Sequence, residues 1–159
     1  MCIYTVSKIM DEYMNKKAQM QQLSPCYCTK IRKASRAVTQ HYINILKPSG
    51  LKITQFALLN NLRRNGPLTM NNLSEVTNLE RTTLIRNLKP LENKKLIQII
   101  SQENSKANLI CLTDNGEKIL NLTLPYWEKA QKSIEEMLSN EEIEDFEKIL
   151  KKLVQSTYK

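Results

Sequence analysis

The stretch that most limits how this chain can fold is "LTMNNLSEVTNLERTTLIRNLKPLENKKL", residues 68–96. It holds two helical patterns with almost nothing between them. The first covers about residues 70–77. The second covers about 80–94, with Leu84, Leu88 and Leu91 recurring at helical spacing on one apolar face. A break as tight as "NL" forces the second helix to set off sharply from the first. Pro90 falls inside the second helix and is expected to bend it, because proline removes a helix hydrogen bond.

The segment after it changes period. "LIQIISQENSKANLICL" predicts two strands, about residues 96–101 and 107–112, around a polar tip at Gln102 to Lys106. Elsewhere the signals are helical, and three glycines with 41% hydrophobic residues suit a mostly helical protein. Residues 1–23 hold a loose pattern (Val6, Ile9, Met10, Tyr13, Met14), which reads as an arm or short extra helix. Ser24-Pro25 predicts a helix start, serine as N-cap and proline in the first turn, for a helix running to about Lys47. Another helix spans about Thr54 to Arg64 and ends at Asn65-Gly66. "TDNGEKIL" opens a helix at Asp114 that reaches about residue 137 with a kink at Pro125. "SNEE", with Ser139 and Glu142 as a capping box, opens the last helix, to about Ser156.

The fold expected is therefore mostly α with a small β-hairpin wing (α+β). It divides into an N-terminal arm or short helix (1–23), a first helix (24–50), a winged helix-turn-helix domain (51–113) and C-terminal helices (114–159). At 159 residues the chain is long enough for a real core, and no apolar run approaches the ~18 residues of a membrane span. The N-terminus lacks a signal-peptide apolar core and carries Asp11 and Glu12, so a soluble, cytoplasmic protein without membrane association is expected.

Charge separates the same regions. Residues 29–100 carry 13 Lys and Arg against 3 Asp and Glu, whereas residues 114–159 carry 7 against 10. A basic middle joined to an acidic C-terminal part suits polyanion binding by one portion and another task for the other. The second helix of the tight pair would enter a major groove and present Arg81, Thr82, Thr83, Arg86, Asn87 and Lys89, with Lys106 on the hairpin. A solvated surface helix is the plain alternative, and the adjoining hairpin and basic segment weigh against it.

From Leu51 to Leu120 the chain resembles the multiple-antibiotic-resistance regulator (MarR) family of transcription factors. The resemblance rests on "GLKITQFALL", "LTMNNLSEVTNLERTTLIRNLKPLENKKLI" and "LTDNGEKIL". The order of elements extends it over about residues 24–156. It implies a homodimer held by the first helix and the last two, with two winged domains binding a near-palindromic site in double-stranded promoter DNA. Wings in the family commonly carry an acidic residue and paired arginines for the minor groove. "SQENSKAN" offers Lys106 alone, so more reliance on Arg81 and Arg86 is expected.

"SPCYCTK" places two of the four cysteines at a helix entrance. Counting from Ser24 makes Cys26 the second helical residue and Cys28 the fourth, both near the positive end of the helix dipole and close to Lys30, Arg32 and Lys33. Those surroundings favour the thiolate. Helical positions two apart diverge by about 200°, so one helix cannot aim both sulfurs at one metal ion. The one histidine, His41, lies about 20 Å along the helix from Cys28. No metal site or cofactor is assigned, and His41 reads as a surface or interface residue. The resemblance extends to the family's organic-hydroperoxide sensors. In that register Cys28 matches the reactive cysteine and Tyr42 a supporting tyrosine, while Arg32 stands where those sensors have another tyrosine. This implies release by oxidation of Cys28, with Cys26 or a second-subunit cysteine resolving the sulfenic acid. A structural or unmodified cysteine pair stands beside it.

Three function classes follow. The leading one is a DNA-binding regulator, answering either to an oxidant or to a small molecule or metal. A small thiol peroxidase built on Cys28 is the enzymatic alternative, but no Cys-His-Asp arrangement, Gly-rich phosphate loop or paired-carboxylate motif accompanies it, so no enzyme is expected. The third is a dimeric interaction protein whose winged helix contacts protein.

Overall fold

The computed structural model describes residues 8–15, 26–102 and 105–157, without the side chains of residues 102–106 and 156–157. The chain divides into two units, residues 1–38 and residues 39–159.

In the first unit, helix α1 (residues 8–15) exposes Ile9, Met10, Tyr13 and Met14, each by more than half. The rest of the expected arm lies outside the described residues, as does the Ser24-Pro25 start. Helix α2 is Tyr27–Leu46. Its first backbone bond runs from Lys30 N–H to the Cys26 carbonyl at 3.1 Å. Cys26 is therefore the capping residue and Cys28 the second helical residue, two positions earlier in the helix than the count from Ser24 gave.

The second unit begins with the last turns of α2. A 3-10 turn at Lys47–Ser49 stops the helix, and Gly50 takes the left-handed conformation (φ 73°) that the reversal requires. Helix α3 (Ile53–Asn65) buries Phe56, Leu58, Leu59 and Leu62. Strand β1 (Leu68–Thr69) leads into α4 (Met70–Thr77), and α5 (Arg81–Asn93) follows. The wing is β2 (Ile97–Gln102) and β3 (Ser105–Leu112). Helices α6 (Asp114–Glu135) and α7 (Asn140–Thr157) complete the unit. Pro90 and Pro125 sit inside α5 and α6, which continue past them to Asn93 and Glu135. Helical bonding resumes at once after Pro90, whose carbonyl accepts from Lys94 N–H at 3.2 Å.

The sheet is antiparallel with order β1-β3-β2. β1 was not expected: two residues show no alternation, and only pairing of Leu68 with Ile110 and Thr69 with Leu109 makes them a strand. β2 and β3 also run closer to the tip than the polar composition of residues 102–106 predicted, with Gln102 opposite Ser105. Leu46, Leu59, Leu73, Leu84, Leu91 and Leu120 are fully buried and belong to one core under α3, α4, α5 and the sheet.

Two bonds tie the end of α2 to α6. Tyr42 donates its hydroxyl proton to Gln131 Oε1 at 2.6 Å. The Ser133 hydroxyl, 2.8 Å from the Ala130 carbonyl, also hydrogen-bonds His41 Nε2 at 2.6 Å. At the start of α7 the expected capping box is present, Ser139 N–H to Glu142 Oε2 at 2.8 Å and Glu142 N–H to Ser139 Oγ at 3.3 Å. Among the described residues no helix is long and apolar enough to cross a membrane.

Candidate nucleic-acid interface

The helix pair is fixed by local bonding at both ends of its joint. Thr69 caps α4, its hydroxyl accepting from Asn72 N–H at 3.2 Å. Asn78 ends α4 in the left-handed conformation (φ 54°), which asparagine tolerates better than most residues. The chain is then held by Ser74, whose hydroxyl donates to the Leu79 carbonyl at 2.6 Å and whose carbonyl accepts from Leu79 N–H at 3.3 Å. Glu80 is extended (φ −57°, ψ 143°), and α5 departs from it. The turn is thus three residues, Asn78 to Glu80, held by one serine.

Helix α5 is two-faced. Leu84, Leu88 and Leu91 are buried. Arg81, Thr82, Ile85, Arg86 and Lys89 are all exposed, and at 100° per residue they occupy an arc of about 140°. Three of the five are cations, and no acidic side chain lies between them. Thr83 and Asn87 fall outside this stripe: both are half-buried, and Asn87 Nδ2 donates to the Thr83 carbonyl at 2.9 Å. Arg81 also lines a groove of about 380 Å³ with Thr69, Met70, Asn71, Ile99 and Asn108, so the start of α5 opens toward the wing strands. Lys106 belongs to β3, and its side chain lies outside the described residues.

Two surface-facing residues here were passed over in the sequence. Asn71 lies in the first turn of α4, where backbone N–H groups face outward. Ile85 was legible as an isoleucine out of phase with the Leu84, Leu88 and Leu91 face. It is 47% exposed.

The thiol residues lie apart from this surface in sequence. Cys26 and Cys28 are free and exposed, and Cys111 is free and buried in β3. The Thr29 hydroxyl, followed by the Thr29 backbone and then the Cys28 backbone, hydrogen-bonds the Cys26 sulfur and lowers its pKa below the ordinary cysteine value. Arg32 is exposed on α2. Tyr42 is half-buried, and burial, with Glu135 second, raises its pKa. Its single O–H goes to Gln131 of its own chain, so it has no proton left to donate to a sulfur. Among the described residues no three His, Cys, Asp or Glu side chains converge as metal ligands.

A tight helix pair, a cationic stripe on the second helix and a three-stranded antiparallel wing together define a winged helix-turn-helix protein. Residues 49–106 match the sequence model of the MarR family. The chain is 31% identical over 88 residues to YwoH of Bacillus subtilis (strain 168), an uncharacterised HTH-type transcriptional regulator; the match covers 55% of this chain and 64% of YwoH. A solved structure of the Mycobacterium tuberculosis regulator MosR in complex with DNA matches 84% of this chain and 99% of its own, at 27% identity and a TM-score of 0.73. The fold is also that of Bordetella bronchiseptica BpsR, whose DNA binding is regulated by 6-hydroxynicotinic acid, at 20% identity and a TM-score of 0.77, over 84% of this chain and 96% of that one.

Proposed function

We propose that this protein is a homodimeric transcription regulator that binds a near-palindromic duplex DNA site. Helix α5 enters the major groove, and the wing tip, with Lys106, lies against the backbone or the adjacent minor groove. The observation that carries this is the cationic stripe of Arg81, Arg86 and Lys89 on the face of α5 opposite its buried leucines. Arg81 and Arg86 have the planar fork that pairs with guanine O6 and N7, whereas Lys89 and Lys106 suit phosphate. Two half-sites one helical turn apart, or a multiple of about 34 Å, would match two such helices related by a twofold axis.

The dimer reading rests on apolar surface. α7 exposes Phe146, Ile149 and Leu150, and α2 exposes Tyr27, Ile31 and Val38. Contiguous exposed apolar faces on amphipathic helices mark surfaces that associate.

The test is fluorescence anisotropy of the full chain on duplex from upstream of its own gene, across a salt series. A steep fall of log K with log salt, at two chains per duplex, is expected. Salt-independent binding, or none, would leave the interaction-protein reading in its place. Multiple turnovers of peroxide reduction with a thiol donor would instead favour the peroxidase.

A second reading concerns control by thiol chemistry, and Cys26, the helix-capping residue whose sulfur accepts hydrogen bonds from Thr29, supports it. In such a step a Cys26 thiolate attacks the distal oxygen of a hydroperoxide. The O–O bond breaks, the alkoxide leaves and takes a proton as alcohol, and sulfur is left as sulfenic acid. A second thiol, such as Cys28 or a partner-subunit cysteine, then displaces hydroxide as water and closes a disulfide. The hydrogen bonds to its sulfur make Cys26 a candidate nucleophile alongside Cys28, the residue that family register suggested. Faster alkylation of Cys26 than of Cys28 at neutral pH, by peptide mass spectrometry, is expected. A peroxide response unchanged in Cys26→Ser and in Cys28→Ser would remove this reading.

A further inference from the structure

We infer that Ile85 is a specificity-determining residue that seats against the 5-methyl group of a thymine in each operator half-site. This rests on the proposal that α5 is the groove-reading helix, and names what one of its side chains reads.

Ile85 is 47% exposed, one helical turn after Arg81 and one turn before Lys89, about 6 Å from each along the axis. It is bracketed by cations on a surface with no acidic side chain between them. A stripe that only met phosphates would favour Lys, Arg, Ser or Thr at every position, and an exposed isoleucine adds nothing to a phosphate contact. Isoleucine is also a weaker helix former than alanine or lysine, so local helix stability does not explain it. The core does not use it either: it is out of phase with Leu84, Leu88 and Leu91.

In the major groove the thymine C5-methyl is the one apolar group that the four ordinary bases present, and cytosine offers hydrogen at the same place. An isoleucine between two phosphate- or guanine-directed cations meets that methyl with its own branched carbons. Its χ1 is restricted to essentially one rotamer in a helix, so the contact needs little side-chain ordering. Loss of one buried methyl corresponds to about a fourfold loss in Kd per half-site. A cytosine methylated at C5 presents the same group, so the chemistry is shared and the two sources are separated below.

The experiment uses the full chain and a duplex it enriches from a randomised pool. Each thymine of a half-site is replaced in turn by deoxyuridine, which removes only the methyl. The wild type is expected to lose about fourfold at one position per half-site, and Ile85→Ala is expected to bind the thymine and uracil duplexes equally. Placing 5-methylcytosine, paired with guanine, at that position should restore more wild-type affinity than cytosine does if the methyl alone is read. Restoration by thymine alone assigns the contact to thymine. Ile85→Val, which keeps a branched side chain, should retain part of the thymine preference, and circular dichroism checks that both variants fold.

An equal uracil penalty in wild type and Ile85→Ala, or no sensitive position, overturns the inference. Arg86→Ala separates the two levels: if it leaves selected-duplex binding unchanged, the assignment of α5 as reading helix fails, and with it the role of Ile85.

Discussion

Arg86 and Lys106 carry the same charge and differ in what that charge can distinguish. The guanidinium of Arg86 lies on the exposed stripe of α5 and presents a fixed fork, whereas a lysine ammonium is a point charge. Arg86→Ala should therefore relax sequence preference, at a cost of about 1–3 kcal/mol on the preferred duplex and much less on random DNA. Lys106→Ala should weaken both duplexes alike and lower the salt slope by about one. Anisotropy on the two duplexes at several salt concentrations checks both; equal losses for Arg86→Ala would count against base reading. A different residue-scale effect lies just beyond α5. Lys95 holds φ at 54°, while Leu96 N–H bonds back to the Leu91 carbonyl at 2.9 Å, a position where glycine is the usual occupant. Lys95→Gly should raise stability by up to about 1 kcal/mol, seen as a higher urea midpoint with unchanged slope.

At the scale of elements, one junction joins the end of α5, both wing strands and α6. Thr113 caps α6 by accepting from Gly116 N–H at 3.0 Å, and the same hydroxyl donates to the Lys95 carbonyl at 2.7 Å. Gly116 packs directly on the Leu96 backbone carbonyl, and a Cβ there would also lie 2.6 Å from Leu112 Cδ1. Backbone cannot yield as a flexible side chain does. Gly116→Ala should lose about 1–3 kcal/mol by overpacking, with a lowered thermal midpoint by circular dichroism. Weakened DNA binding at temperatures well below that midpoint would further indicate that the junction sets the wing. "TDNGEKIL" gave the helix start in the sequence, but the need for glycine was not legible there. It arises from Leu96, twenty residues earlier, and only packing brings the two together. The same holds for β1, which exists through β3, and for Asn87, whose amide faces its own helix.

For the whole molecule, charge and apolar surface divide the labour. The basic segment contains α5, while α7 carries five acidic residues between Glu141 and Glu147 beside its exposed Phe146, Ile149 and Leu150. The carboxylates of α7 would be repelled by a phosphate backbone, and its exposed apolar residues are the surface proposed to associate. Phe146→Glu should shift sedimentation toward the monomer and weaken palindromic DNA more than a single half-site, since only the former gains from two linked winged domains. Unchanged sedimentation would remove α7 from the dimer contact. Sequence alone determined the helical class, the tight helix pair, the wing and the capping box of α7, because periodicity, capping and turn chemistry act within a few residues. It also marked the cations of α5 from their phase against the leucines. Tertiary structure decided what depends on distant neighbours: that Thr83 and Asn87 leave the stripe, that Tyr42 is held by Gln131, and that Gly116 must be small. Burial and close approach are set between segments far apart in the chain, and a local pattern carries no record of them.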